Sequence, residues 1–162
     1  MKGLVGKRTV IVIAGLAAAG AGFQLSFGQT RNSAVQYLEG TAQTKLRAYS
    51  PAVVSQGGKT VWLAGQTATE DLNHKSIAGD FDAQVRTDFA LLDQTLKRAG
   101  GSLRNMVTMT VFINDPRLGD RFIELRKETF PDGKYPASAL ITVSNFARPG
   151  ILLEIQGVAV IP

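Results

Sequence analysis

The sequence predicts an α+β domain: a two-layer sandwich in which two helices cover one face of a mixed sheet, in the order β-β-α-β-α-β-β. Three observations predict it. Val85, Phe89, Leu92, Leu96 and Ala99 recur at steps of four, three, four and three, the spacing of one apolar stripe on a helix. Residues 106–113 (MVTMTVFI) and 151–160 (ILLEIQGVAV) are short, rich in β-branched side chains and bounded by turn residues, which reads as strands. Strand–helix–strand crossovers are right-handed and return their helices to the same side of the sheet.

The elements follow in order. Apolar segments at 45–55 and 60–65 flank Gly57-Gly58, a pair that tolerates positive φ at both positions, and so predict a β-hairpin. Residues 66–79 are polar, contain the lone His74 and read as a loop. Asp80 or Asp82 caps the first helix, Lys97 and Arg98 occupy its last turn, and Gly100-Gly101 stops it. Asn114-Asp115-Pro116 ends the MVTMTVFI strand. A second helix over 117–129 sets Leu118, Phe122 and Leu125 on one face, and Pro131-Asp132-Gly133 breaks it. Strands at 137–143 and 151–160 close the chain around a turn at Ala147-Arg148-Pro149-Gly150. The last strand is apolar on both faces apart from Glu154 and Gln156, so partner subunits are expected to cover the second face of the sheet.

Composition bounds the chemistry. A chain of 162 residues, 44% hydrophobic and 19% charged, has room for one domain with a real core and is not disordered. Zero Cys excludes disulfides, thiolate metal sites and thiol nucleophiles, and a single His removes most catalytic and metal constellations. No cofactor or metal is expected. Asp80, Asp82 and Asp88 read as helix caps and helix surface, and His74 as a surface residue without a nucleophile beside it.

The net charge of +5 is concentrated at the start. Lys2, Lys7 and Arg8 precede the apolar run TVIVIAGLAAAGAGF, and Ser26 and Gly28 are small residues before a cleavage point. Residues 1–28 read as a signal peptide, with an uncleaved anchor as the alternative. The run is shorter than the ~20 residues of a comfortable span, so no stable membrane span is expected after cleavage. The mature chain is expected to be periplasmic or secreted. Without that segment 15 basic residues face 13 acidic ones, and no basic block interleaved with aromatics survives, so a nucleic-acid partner is not expected. Residues 29–44 read as a polar N-terminal arm and 45–162 as the domain.

Six motifs lie in order along that domain: AYSPAV at 48–53, LAGQ at 63–66, LLDQTLKRAGGSLRNMV at 91–107, TVFINDP at 110–116, FPDGKYPAS at 130–138 and LEIQGVAV at 153–160. Together they resemble the RidA (YjgF) family over residues 45–162. The resemblance implies a chorismate-mutase-like fold and a homotrimer whose sheets form a central barrel, with ligand clefts between subunits. It also implies hydrolysis of reactive enamines and imines derived from amino acids, releasing ammonia and a 2-keto acid without metal or cofactor. Family members are usually cytosolic, so an export signal departs from the pattern.

The resemblance assigns site residues one by one. Glu154 matches the carboxylate that positions the hydrolytic water and assists proton transfer. Tyr49 matches the tyrosine lining the cleft, and Gly65 and Gln66 the strand end beside it. Ser138 stands where the family pattern Pro-Ala-Arg-Ser carries the arginine that grips the substrate carboxylate. A hydroxyl offers one donor and no charge, and cannot replace a bidentate guanidinium. Arg148, in the turn before the strand of Glu154, is a candidate to supply a guanidinium from another direction. The expectation is a hydrolytic deaminase-like enzyme with an altered small-metabolite substrate, which lacks a carboxylate or presents it elsewhere. The alternative is a non-catalytic trimer that binds a small molecule in the same cleft.

Overall fold

In the computed structural model, which describes residues 34–162, the segment 1–28 and the first residues of the arm lie outside the described residues. Strand β1 (Ala34–Tyr37) and a short helix α1 (Ala42–Leu46) come first. They are followed by β2 (Val53–Gln56), β3 (Lys59–Gln66), α2 (Phe81–Arg98), β4 (Met106–Ile113), α3 (Gly119–Thr129), β5 (Ala137–Thr142) and β6 (Leu153–Ile161). The main sheet has the order β3-β6-β4-β5, with β4 and β5 parallel and β6 antiparallel to both its neighbours. The architecture is the predicted α+β class.

Helix α2 forms as the periodicity requires. The Asp80 carboxylate accepts the Ala83 N–H at 3.1 Å, satisfying one of the free donors of the first turn. Val85, Phe89, Leu92 and Leu96 pack into one core with Met109 and Val111 of β4 and Ile155 of β6. Phe89 stacks on Phe122 of α3, centroids 6.2 Å apart, and meets Phe130 edge-on at 5.9 Å. Gly100 ends the helix at φ 87°, a conformation that only glycine adopts without strain.

The chain also fixes the level of α2 against β6. At one end the Leu152 N–H donates to Gln84 Oε1 at 2.9 Å, just before β6 begins. At the other, a Cβ on Gly101 would stand 2.7 Å from Ile161 Cδ1. Helix and strand therefore run side by side in the same direction.

Two expectations are corrected at the N-terminal side. Gly57 and Gly58 do reverse the chain, at φ 70° and 75°, but the strands they join do not pair as a hairpin. β2 pairs with β1, Tyr37 opposite Val53, whereas β3 pairs with β6, Lys59 opposite Ile161. The arm therefore supplies a strand, and its Tyr37 hydroxyl donates to the Met106 carbonyl at 3.3 Å. Within 45–55 only the last residues are strand: α1 ends at Leu46 and Ala48 takes a positive φ of 53°. The predicted second helix starts with a 3-10 turn (Pro116–Leu118) capped by Asp115, because proline suits a first helical position and has no N–H to leave unpaired.

Leu153 and Ile155 are fully buried on the helix side of β6, so Glu154 and Gln156 lie on the opposite face. That face is open in the single chain. Gln156 and Thr108 are exposed there, Trp62 is 80% exposed and Ile141 42%.

Candidate functional site

The sequence-predicted residues fall into two groups in one chain, and two of them stand apart. The first group forms where the segment after α1 runs beside the start of β5. Ser50 bridges Ala137 in parallel, which sets Tyr49 beside the Pro136-Ala137-Ser138 stretch. Tyr49 and Ser138 are both half-buried. Between them lies Arg126 of α3, only 3% exposed. Its Nη1 donates to Ser138 Oγ at 2.6 Å and its Nη2 to the Arg47 carbonyl at 2.6 Å. The guanidinium sits 5.1 Å over the Phe122 ring. Burial, and then the neighbouring Arg47 charge, lower its pKa to about 10, with Tyr135 and Tyr49 acting in the opposite sense.

The sequence reading missed Arg126. It stands four residues after Phe122 on the buried face of α3, the spacing that could have singled it out. Ser138 is thus a serine whose hydroxyl already accepts a hydrogen bond from a guanidinium of another element.

The second group centres on Glu154, half-buried on β6 opposite Phe112. Pairing of β3 with β6 slips between Leu63, opposite Gly157, and Gln66, opposite Ile155, so β3 carries one extra residue in a bulge at Ala64-Gly65. Gly65 lies against the Glu154 carboxylate. A Cβ there would stand 2.7 Å from Glu154 Cδ and would overlap Oε1. The missing side chain is what leaves the carboxylate its place.

Gln66 is not part of this group. It shares the side of its partner Ile155 and lines a groove with Leu91, Gln94 and Thr95 of α2. Arg148 is exposed in the turn between β5 and β6 and forms no ion pair among the described residues. His74 is exposed, with Nδ1 3.6 Å from Glu70.

Asp88 corrects the surface reading given to it. It is fully buried on α2, and neither carboxyl oxygen has a hydrogen-bond partner. Burial first, and the Glu154 carboxylate second, push its pKa up to about 8. The signal was present in the sequence: Asp88 falls three residues after Val85 and four before Leu92, inside the apolar stripe. Among the described residues, no group of three or more His, Asp or Glu could hold a metal ion, and no helix is long and apolar enough to cross a membrane.

The two groups are well separated. Ser138 lies opposite Met109 and Glu154 opposite Phe112, three residues further along β4, with β4 between the two strands. At ~3.3 Å per residue and ~4.8 Å per strand, their Cα atoms stand about 14 Å apart.

Comparison with known proteins agrees along most of the chain. The family model described as Endoribonuclease L-PSP matches residues 40–161. A RutC family protein of Pyrococcus horikoshii is 28% identical over 111 residues, 68% of this chain and 85% of that protein. Protein DfrA of Myxococcus xanthus is 33% identical over 114 residues, 69% of this chain and 84% of its own. Among solved structures, the Rid family protein YyfB from Yersinia pestis superposes with a TM-score of 0.66 at 25% identity, covering 80% of this chain and 99% of that one. RidA from an Antarctic Psychrobacter gives 0.58 at 27% identity, covering 70% and 88%.

Proposed function

The chain belongs to the RidA/YjgF family, whose model is described as Endoribonuclease L-PSP, and from that premise we propose that it is a hydrolytic deaminase-like enzyme for a small enamine or imine, working as a homotrimer. The observation that carries this reading is the Glu154 carboxylate seated against Gly65 on the open face of the sheet, where Gly65 has no side chain to displace it. A carboxylate so placed orients a water and takes its proton as the oxygen adds to the carbon of C=N. The nitrogen receives a proton, the carbon–nitrogen bond breaks, and a ketone and ammonia leave; water is the one co-reactant. Tyr49 holds the substrate across the cleft.

The separation of the two groups supports assembly with further copies of the chain. No small metabolite spans about 14 Å within one chain, whereas a second copy laid on the open face brings its own Tyr49 group toward Glu154. The exposed indole of Trp62 and the half-exposed Ile141 lie on the surface such a copy would cover. Nucleic acid is a poorer fit. Arg47, Arg86, Arg104, Arg117 and Arg121 are each engaged by an acidic side chain, and the sequence carries no basic block interleaved with aromatics. Residues 1–28 support a periplasmic or secreted site of action.

The second reading, a trimer that binds a small molecule without turning it over, is favoured by the first group. Ser138 is occupied by Arg126, and Arg126 is buried with two of its three nitrogens committed, so neither is free to grip a carboxylate. The two readings are separated by adding purified protein to 2-iminopropionate generated in place by an amino-acid oxidase and following its loss. Acceleration over buffer supports the enzyme, and none supports the binding protein.

A further inference from the structure

Asp88 has no part in the reaction as described, yet it is an expensive residue to keep. A carboxyl group with no exposed surface and no hydrogen-bond partner is costly if charged, and less so only if it holds its proton. Its position is fixed from both ends of α2. Gln84, one helical turn earlier on the same buried stripe, takes the Leu152 N–H, and Gly101 packs against Ile161. One turn advances ~5.4 Å and two strand residues ~6.6 Å, so Asp88 stands at the level of Glu154, on the helix side of the strand whose open side carries Glu154. The same level is where β3 bulges and Gly65 contributes no side chain.

We propose that Asp88 is a positioning residue for Glu154: the two form a coupled carboxyl pair on α2 and β6, Asp88 buried behind the strand and Glu154 on its open side. The proposal rests on Glu154 being the base of the reaction given above. It adds what the family resemblance does not supply, a second carboxyl group that acts through the sheet. In its protonated form Asp88 leaves Glu154 as the only negative charge at the site. Once ionised, it sets a second negative charge beside the first, opposes the approach of an electron-rich or anionic substrate, and loads the core with an unpaired charge.

The charged groups on the elements packed against α2 leave this pairing undisturbed. On β3, the Lys59 ammonium goes to the Ala99 carbonyl. On α3, Arg121 turns to Asp82 and Glu128 to Arg86, and on the 3-10 turn after α2 Arg104 turns to Asp132. Glu154 is the one group whose charge bears on Asp88.

The test is a carboxyl-carbon NMR titration of the full chain, labelled at Asp and Glu, from pH 4 to 10. The pair predicts that the Asp88 carboxyl titrates near pH 8 and that Glu154→Gln lowers its midpoint by about half a unit or more, because one neighbouring charge is gone. An Asp88 midpoint in the ordinary carboxylate range near 4, or one that Glu154→Gln leaves in place, overturns the pair. Glu154 lies at the open surface, so this variant keeps the core intact. A second readout is the pH profile of imine hydrolysis. Asp88→Asn, which mimics the protonated acid, should match the unmodified protein below pH 7 and keep its rate above pH 8, where the unmodified protein loses it. Coupled titrations without hydrolysis support the pair and overturn the enzyme reading; hydrolysis with uncoupled titrations does the reverse.

Discussion

Arg126 Nη1 donates to Ser138 Oγ at 2.6 Å, so a guanidinium reaches Ser138 from α3 with its hydrogen bonds directed into the protein. Two consequences follow. The serine hydroxyl is already engaged, and placing an arginine at 138 would crowd a second guanidinium against the first.

Ser138→Arg is therefore expected to cost about 2–4 kcal/mol of stability. It places a second cation beside a buried one and removes the hydroxyl that Arg126 binds. Ser138→Arg combined with Arg126→Met should recover most of that loss, with a coupling energy above about 1 kcal/mol in a double-mutant cycle by urea unfolding. Additive costs would show that the two positions do not interact.

Gly65→Ala tests the seat of Glu154. The added methyl meets the far end of a flexible carboxylate rather than backbone, so the fold adapts, and stability should change by less than about 1 kcal/mol. The carboxylate moves instead. A base displaced by about 1 Å should lose about tenfold to hundredfold in turnover, measured beside an unchanged unfolding midpoint.

Stability should depend on pH through Asp88. Its folded pKa, about 8, is raised above the ordinary 3.8, so the folded state holds a proton that the unfolded chain has released. The stabilisation is present in full below about pH 4 and is lost as pH rises toward 8, at up to ~1.4 kcal/mol per unit. Urea midpoints for the unmodified protein should fall across this window. Asp88→Asn should flatten the curve and be the more stable of the two at pH 8.5. Parallel curves would contradict the buried acid.

The open sheet face gives a test of assembly. Trp62 is 80% exposed and stands opposite Val158 on β6. Trp62→Glu should convert the proposed trimer to monomers by light scattering at micromolar concentration while circular dichroism stays unchanged. A monomeric unmodified protein would contradict assembly through this face.

How far the sequence could be read depended on the range of the signal. The α2 stripe and the β4 run are local patterns carried by their own side chains, and both appear where expected, β4 to the residue. Gly57-Gly58 announces a reversal but says nothing of which strands pair, and here β2 and β3 part to different partners. β1 is four residues long, too short for an alternation to stand out from the polar arm. At the site, Ser138 stood out within its motif, whereas its meeting with Arg126 depends on how α3 lies on β5. Asp88 was visible within the apolar stripe, but one carboxylate on a helix reads as surface until its level against Glu154 is known.

The proposed chemistry rests on Glu154. Purified full chain is added to 2-iminopropionate, and to imines lacking a carboxylate, each generated in place by an oxidase, and loss of the imine is followed beside the Glu154→Gln variant. Glu154 as the base predicts acceleration over buffer for at least one of these imines, and a loss of about a hundredfold or more in Glu154→Gln with its fold intact. Equal rates for buffer and protein across the set, or equal rates for protein and variant, would contradict it.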